Sequence, residues 1–221
     1  MRLKAVLFDL DGTLIDTAAD FHLLLNQMRQ EFGLPGLDFQ TVRPWVSEGS
    51  AYILRHGLAD LEPEPATLEQ LTRLFLDRYA DAPAQRSQLF PGFTQLLEQL
   101  EKFDLPWGIV TNKRRRFCDP LLSALNIHAD CCICPDDVLH TKPDPEGLCL
   151  AAQKLGVQAQ NCLYVGDHRR DIEAGRNANM RTAAACWGYI SLHDNPEHWQ
   201  ADALVHDCQE LLQYILMLLK E

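Results

Sequence analysis

Short apolar runs recur along the chain, and several of them end in a polar residue or glycine. The runs at 5–8, 107–110, 131–134, 162–165, 182–186 and 203–205 have the length of strands that are buried on both faces. Between them apolar residues recur at helical spacing, as at Leu148, Ala152 and Leu155, where Gly156 suits a helix end. This alternation of strands and helices predicts an α/β fold built on a doubly wound parallel sheet.

One stretch interrupts the alternation. Between residues 16 and 87 no run has a convincing strand pattern, but two helical patterns are present: Phe21, Leu24, Leu25, Met28 and Phe32, then Leu68, Leu71, Phe75 and Tyr79. Segments with proline at 35–36 and 62–65 separate the helical pieces. We therefore expect a helical insertion after the first strand, with the sheet resuming near residues 90–92.

The composition is that of an ordinary globular protein, with 221 residues of which 47% are hydrophobic and 23% are charged. The 31 Asp and Glu residues outnumber the 20 Lys and Arg residues, and the formal charge of -11 repels nucleic acid and anionic lipid. The first apolar run is interrupted at Asp9 and Asp11, and no run approaches the roughly 18 residues of a membrane span. We expect a cytoplasmic protein with no nucleic acid and no membrane partner, and its oligomeric state stays open.

The eight cysteines raise the question of disulfides or zinc. Cys131, Cys132 and Cys134 form the one cluster along the sequence, whereas the others are isolated: Cys118, Cys149, Cys162, Cys186 and Cys208. A zinc site with four ligands needs a second cysteine pair at suitable spacing. We therefore expect reduced thiols that pack as small apolar residues rather than a zinc site.

Two aspartates follow the first strand directly. Asp9 and Asp11 are two residues apart, so they share a face where the strand ends, and Gly12 allows the backbone to turn there. Two adjacent carboxylates repel each other unless a cation joins them, and hard oxygen ligands suit Mg²⁺. A polar turn with an aspartate at a helix start is the alternative interpretation of this motif taken alone.

A second acidic pair follows the apolar run at 162–165. Asp167 comes after Gly166 and faces the first pair if the strands are neighbours, and Asp171 lies one helical turn further on. These residues add oxygen ligands at the carboxyl ends of the strands, where open parallel sheets bind ligands. Helix capping by Asp167 is the alternative.

Two further motifs carry groups that bind anions. Thr111 and Asn112 end the run at 107–110, where a hydroxyl and an amide can donate hydrogen bonds to an anion. Lys142 precedes a proline, and we expect Asp144 to cap a helix that begins at Pro145, which fixes the base of this lysine. Taken singly, the first motif is typical of an ordinary helix cap and the second of a solvated lysine.

The four motifs, in chain order, are Asp-x-Asp-Gly-Thr, Thr-Asn, Lys-Pro and Gly-Asp-x-x-x-Asp. With these motifs in this order, the chain resembles the haloacid dehalogenase superfamily over essentially its whole length. The resemblance implies a Rossmann-like core of residues 1–17 and 88–221, with a helical cap at residues 18–87. It implies a phosphatase rather than a dehalogenase, because Asp11 is needed only where a leaving alcohol must be protonated.

The same resemblance implies roles for the acidic residues. Asp9 would attack phosphorus to give an aspartyl phosphate, while Asp11 would protonate the leaving alcohol and then activate water. The cofactor would be Mg²⁺, held by Asp9, the Asp11 backbone carbonyl and Asp167, with Asp171 in support.

The resemblance also implies which groups bind the phosphoryl oxygens. They are Thr111, Asn112 and Lys142, of which Thr111 and Lys142 would act in catalysis together with the aspartates. The physical argument agrees, since a carboxylate that attacks an anionic phosphate needs its charge masked by a metal ion and an ammonium group.

Within the superfamily the chain resembles the bacterial phosphoglycolate phosphatase-like group, which act on small phosphorylated metabolites. Within this group, the resemblance of the segments at 133–136, 187–190, 194–199 and 201–202 implies N-acetylmuramic acid 6-phosphate as the substrate, an intermediate of peptidoglycan recycling. The cap would select the leaving group, and its polar candidates are Arg43, Glu48, Gly49 and Ser50. Arg43, with its fixed fork of donors, is the expected partner for a substrate carboxylate.

Three alternatives are open: a phosphoglycolate phosphatase, a phosphosugar mutase that uses the same aspartyl phosphate, and a non-catalytic binding protein of the same fold. The presence of both Asp9 and Asp11 argues against the last. Other polar and aromatic residues have simpler interpretations. We expect the basic run at 113–116 to be a solvated helix face and His168 to face solvent on a helix. We expect the remaining group to be packing residues: Trp187, Tyr189, His198 and Trp199.

Overall fold

The computed structural model of the chain describes residues 2–191 and 193–220. The strands in chain order are β1 Ala5–Phe8, β2 Ile15–Asp16, β3 Gln88–Leu89, β4 Trp107–Val110, β5 Cys131–Ile133, β6 Cys162–Gly166, β7 Arg181–Ala185 and β8 Ala203–Val205. The α-helices are α1 Ala18–Glu31, α2 Phe39–Val42, α3 Ser50–Gly57, α4 Pro65–Asp81, α5 Phe93–Lys102, α6 Arg115–Ala124, α7 Glu146–Lys154, α8 Arg169–Asn177 and α9 Cys208–Leu218. Short 3-10 segments lie at Arg43–Glu48, Ala59–Leu61, Pro135–Asp137, Ala159–Asn161 and Pro196–His198.

The main sheet has six strands in the order β5-β4-β1-β6-β7-β8, and every neighbouring pair is parallel. This confirms the predicted α/β fold with its doubly wound sheet. The chain passes from β1 outward through β4 to β5 and then returns to the other side of β1 at β6. The carboxyl ends of β4, β1 and β6 therefore meet where the strand order reverses, which is where open sheets of this kind bind ligands.

The hydrophobic core lies on both faces of this sheet, and the side chains of β1 point alternately to one face and to the other. Val6 and Phe8 pack with residues of α5, α6 and α9, whereas Ala5 and Leu7 pack with residues of α7 and α8. Phe8 is fully buried and meets Phe93 edge to face, with the ring centroids 5.6 Å apart. Burying a side chain of this size contributes about 1.5–3 kcal/mol. The strand that carries the first two aspartates is thereby held at the centre of the fold.

The segment assigned to the cap is helical, with α1 to α4 and two of the 3-10 segments. Phe21 of α1 stacks on Tyr79 of α4, with the ring centroids 4.6 Å apart, and this contact joins the two long helices. Phe32 was expected within the first helix but lies just beyond its end and is 43% exposed. The two-residue strands β2 and β3 pair at the base of this segment, at Ile15 with Leu89.

The domain bounds stay predictions, and their outer ends, Met1 and Glu221, lie outside the described residues. One helix start differs from expectation, because α7 begins at Glu146 rather than at Pro145. Asp144 nevertheless acts as expected, since its Oδ1 accepts the backbone N–H of Glu146 at 2.9 Å. Among the helices of the described residues, none is long and apolar enough to cross a membrane.

Candidate active site

Asp9 and Asp11 lie at the carboxyl end of β1 and line one cavity. The backbone N–H of Asp9 donates to Val165 O at 2.9 Å, so the neighbouring strand β6 fixes its position. Asp9 is buried, with 5% of its surface exposed, whereas the Asp11 side chain is 21% exposed. The Asp11 carboxylate accepts a hydrogen bond from the Thr17 hydroxyl at 2.6 Å, which fixes its orientation.

Asp167 sits in a space that two glycines leave open. A Cβ on Gly12, whose φ is 85°, would lie 2.2 Å from an Asp167 carboxylate oxygen, and a Cβ on Gly188 would lie 2.1 Å from the Asp167 Cβ. No other residue fits either position without displacing the carboxylate. Thr13 Oγ1 at 3.0 Å and the Tyr189 N–H at 2.8 Å donate to its two oxygens.

Three buried carboxylates converge beside β1. Asp9, Asp167 and Asp171 each offer an oxygen, and these oxygens lie within 4.8 Å of one another. Burial and the charges of the other two carboxylates raise the pKa of Asp167 to about 7, and burial also raises the pKa of Asp9. Asp9 Oδ1 is buried, and the Lys142 ammonium lies 2.8 Å from it. Hard oxygen donors that converge at one point and repel one another fit Mg²⁺.

Lys142 lies between two of these carboxylates and is buried. Its Nζ is 2.7 Å from Asp171 Oδ1 and 2.8 Å from Asp9 Oδ1, and it donates to the Tyr164 hydroxyl oxygen at 2.8 Å. Burial alone would lower the pKa of Lys142, but the two carboxylates outweigh it and raise that pKa. The other Asp171 oxygen accepts the His168 N–H at 3.0 Å. Asp171 is therefore engaged by protein groups at both oxygens, which suits a supporting role.

Thr111 and Asn112 follow β4 and reach the same edge. Thr111 lines the cavity, and its backbone N–H donates to Ile133 O at 3.0 Å. Asn112 lines the cavity too. Its amide N–H donates to Lys142 O at 3.1 Å, and its amide oxygen accepts the Lys142 N–H at 3.2 Å. This amide therefore fixes the backbone of Lys142, and its contact with phosphate stays a prediction.

Lys113 was expected on a solvated helix face, and that prediction is wrong. Its side chain is only 6% exposed, and its Nζ lies 2.9 Å from Asp11 Oδ1 and 3.2 Å from Asp11 Oδ2. The ammonium also lies 4.6 Å from the Tyr79 ring centroid. Burial would lower the pKa of Lys113, but Asp11 and Tyr79 raise it, so the ammonium stays charged. The position of Lys113 directly after Thr111 and Asn112 was the sequence signal for a place in the site, but the run of four basic residues suggested a solvated face instead.

A cavity of about 390 Å³ opens between the strand ends and the helical segment. Its aromatic and cationic walls include Phe21, Tyr79, Phe117, Lys113, Arg114 and Arg170. Glu48, Gly49 and Ser50 also line it. Gly49 has a φ of 90°, a conformation that side-chain-bearing residues rarely adopt, and it turns the chain between the 3-10 segment and α3.

Arg43 does not line the cavity, which corrects its expected role toward a substrate carboxylate. Its guanidinium donates to Trp187 O at 2.7 Å and to Gly188 O at 2.8 Å, and it lies 4.9 Å from the Tyr189 ring centroid. Arg114 and Arg170 are the arginines that line the cavity instead. Arg170 donates to Ser47 O at 2.7 Å, and its buried Nε has no hydrogen-bond partner.

Two residues expected to be peripheral join the parts of the site. His168 does not face solvent on α8 but caps its start, since its Nδ1 accepts the Arg170 N–H at 3.2 Å and its Nε2 lies 3.6 Å from Glu48. Burial lowers the pKa of His168. Tyr189 packs as expected, and its hydroxyl also accepts the backbone N–H of Thr17 at 2.6 Å. These contacts position the loops around the aspartates.

Comparison with known proteins agrees with this geometry. The family model described as haloacid dehalogenase-like hydrolase matches residues 6–185. An N-acetylmuramic acid 6-phosphate phosphatase of Pseudomonas aeruginosa is 45% identical over 219 residues, covering 97% of this chain and 96% of the relative. A phosphoglycolate phosphatase of Xanthomonas campestris is 42% identical over 210 residues, 94% of each chain. The crystal structure of a predicted phosphoglycolate phosphatase of Haemophilus somnus, 23% identical, superposes with a TM-score of 0.84 over 97% of this chain and 98% of that one.

Proposed function

Because the chain belongs to the haloacid dehalogenase-like hydrolases, we propose that it is a Mg²⁺-dependent phosphomonoester hydrolase in which Asp9 becomes phosphorylated. One observation carries the proposal: Asp9 lines a cavity, and the Lys142 ammonium lies 2.8 Å from its buried Oδ1. A carboxylate held in this way is an available nucleophile whose charge is masked on one side.

In the first step a carboxylate oxygen of Asp9 attacks phosphorus, and the bond between phosphorus and the ester oxygen breaks. The leaving oxygen takes a proton from Asp11, which lines the cavity and is held in place by its contact with Thr17. Lys142 and Thr111 bind oxygens of the phosphoryl group. When bound, Mg²⁺ would be held by Asp9, Asp167 and the Asp11 carbonyl and would supply the positive charge that lets two anions approach.

In the second step Asp11, now ionised, takes a proton from water while the water oxygen attacks phosphorus. The bond between Asp9 and phosphorus breaks, and inorganic phosphate leaves. Lys113, 2.9 Å from the Asp11 carboxylate, holds this carboxylate in position.

For the substrate we propose N-acetylmuramic acid 6-phosphate. Two features support this choice over phosphoglycolate: the 45% identical relative that carries that name, and a cavity of about 390 Å³ with an aromatic wall. That volume lies in the range of small-molecule sites and leaves room for a sugar ring. Arg114 and Arg170 are the cations that can meet its carboxylate. Phosphoglycolate is the second candidate substrate, because the 42% identical relative is named a phosphoglycolate phosphatase.

A comparison of the two rates tests the substrate. We expect kcat/KM for N-acetylmuramic acid 6-phosphate to exceed that for phosphoglycolate at least about tenfold, or about 1.4 kcal/mol of transition-state binding. The Asp9→Asn variant is the control for contaminating phosphatase. Equal rates, or the reverse order, would overturn the substrate and leave the phosphatase. Absence of hydrolysis of any phosphorylated metabolite in a panel would overturn the phosphatase itself.

We also propose that the reaction takes place in the cytoplasm. All eight cysteines are free, with no disulfide between them. Several lie close enough in the fold to react with one another, as in the Cys118 and Cys132 pair with sulfurs 3.6 Å apart. A reducing compartment favours this state.

A further inference from the structure

Three thiols meet at one edge of the sheet, about the end of β5. Cys118 lies on α6, Cys132 lies on β5, and Cys134 follows that strand directly. The Cys132 sulfur lies 3.6 Å from the Cys118 sulfur and 3.9 Å from the Cys134 sulfur, and all three lie within 4.8 Å of one another. Cys118 was expected to be isolated, which the fold corrects by packing α6 against β5.

The strand geometry explains the grouping. Residues two apart on a strand share a face, so Cys132 and Cys134 both turn toward α6. Cys131 and Ile133 pack instead with the apolar cluster on the opposite face of the sheet. Cys118 and Cys134 are buried, whereas Cys132 is partly exposed and gives access from solvent.

The spacing of the sulfurs matches a thiolate metal site. With a metal–sulfur distance of about 2.3 Å, sulfurs in trigonal or tetrahedral arrangement lie about 3.8–4.0 Å apart. The observed 3.6 and 3.9 Å are close to this. A disulfide has sulfurs about 2.05 Å apart, so forming a disulfide would require a larger movement of the two sulfurs than binding an ion would.

The surroundings favour negative charge on sulfur. Arg115 donates to Cys132 O at 3.2 Å and is held by Asp137. Cys118 lies near the N-terminus of α6, where the helix dipole also favours an anion.

The ligand set indicates which kind of ion fits. Among the described residues, no His, Asp or Glu joins this group of three sulfurs. Thiolates select soft metals such as Cu(I), whereas structural zinc almost always takes four ligands. We propose that Cys118, Cys132 and Cys134 form a binding site for a soft monovalent cation of the Cu(I) type, held by three thiolates. Binding releases the thiol protons to solvent, and this site is separate from the oxygen ligands of the aspartates.

Anaerobic titration of the purified protein with Cu(I), against a competing Cu(I) chelator, tests the site. We expect one ion per chain, with a thiolate-to-copper absorption band in the ultraviolet. Cys118→Ser and Cys134→Ser should each weaken binding about tenfold or more, equivalent to about 1.4 kcal/mol. Cys149→Ser, which alters an exposed cysteine outside the group, is the matched control and should bind as the unaltered protein does.

X-ray absorption of the copper-loaded unaltered protein keeps the test independent of how the variants fold. Three sulfur neighbours at about 2.3 Å are expected, and neighbours that are mainly oxygen or nitrogen would overturn the proposal. So would equal Cu(I) retention by the unaltered protein and a variant with all three residues changed to Ser. Loss of binding in Cys149→Ser would likewise contradict it.

Discussion

At the scale of single residues, Asp9 is the position on which the proposed chemistry depends most. Asp9→Asn keeps the size of the side chain but removes the nucleophilic charge, so we expect kcat to fall by at least about a thousandfold. The fold should persist, because the change removes one of three buried carboxylates that repel one another. Steady-state kinetics and circular dichroism measure the two effects. Asp77→Asn, at an exposed position on α4, is the matched control, and near-normal turnover in Asp9→Asn would refute an aspartyl phosphate.

Lys113 offers a second test at this scale. Lys113→Met keeps the length of the stem but removes the ammonium beside Asp11, and we expect kcat/KM to fall about a hundredfold. If Lys113 acts through Asp11, its effect should largely vanish in an Asp11→Asn background, because the two residues work as one unit. Arg116→Met, in the same basic run but exposed, should have little effect. Fully additive losses in the double variant would show that Lys113 acts independently of Asp11.

The residues of the site also show which of its features the sequence predicts and which it does not. Spacing located the strand ends that carry Asp9, Thr111 and Asp167, because polar residues after apolar runs signal those ends. Spacing could not show that the Asn112 amide turns back to the Lys142 backbone, or that Lys113 turns inward. Both depend on which neighbour stands within reach, and that neighbour comes from another part of the chain.

At the scale of elements, the 3-10 segment Arg43–Glu48 joins the helical segment to α8. Ser47 O accepts Arg170, and the Ser47 hydroxyl donates to Asp167 at 3.3 Å. We expect Arg170→Gln to lower kcat/KM about tenfold, mainly through KM, because it removes a charged donor from the cavity wall and loosens this segment. Arg169→Gln, exposed and paired with Asp194 on the surface, is the control. An unchanged KM in Arg170→Gln would exclude a role in substrate binding.

The elements also differ in how well the sequence predicts them. All six strands of the main sheet come from apolar runs, because strands buried on both faces leave a strong pattern. The strand predicted at 131–134 is one residue shorter in the structure, where β5 ends at Ile133. The Cys134 N–H donates to the Asp137 carboxylate at 2.8 Å and so does not pair with the neighbouring strand. The two-residue strands β2 and β3 leave no periodic signal, and only their pairing across the helical segment creates them.

At the scale of the whole molecule, the order of the strands in the sheet and the contacts between distant segments could not be predicted from the sequence. The alternation of runs predicted a doubly wound sheet but not that β1 would lie between β4 and β6. That order brings Asp9, Lys142 and Asp167 to one point, although they are separated by most of the chain. It also brings Cys118 to Cys132 and Cys134, a grouping that no spacing rule links.

The acidity of the molecule and its buried carboxylates lead to the last prediction, on metal removal. With a formal charge of -11 and three carboxylates at one point, the metal-free protein carries an electrostatic cost that a bound Mg²⁺ would relieve. At a Mg²⁺ concentration about a hundred times its Kd, binding to the folded state alone should add about 2.7 kcal/mol to the free energy of unfolding. Thermal unfolding with EDTA and then with Mg²⁺ measures the shift. Asp167→Asn should lose that shift yet be no less stable than the unaltered protein in EDTA, because the folded state already raises the pKa of Asp167 to about 7 and so disfavours its charge. A full Mg²⁺ shift in Asp167→Asn would show that the ion binds elsewhere.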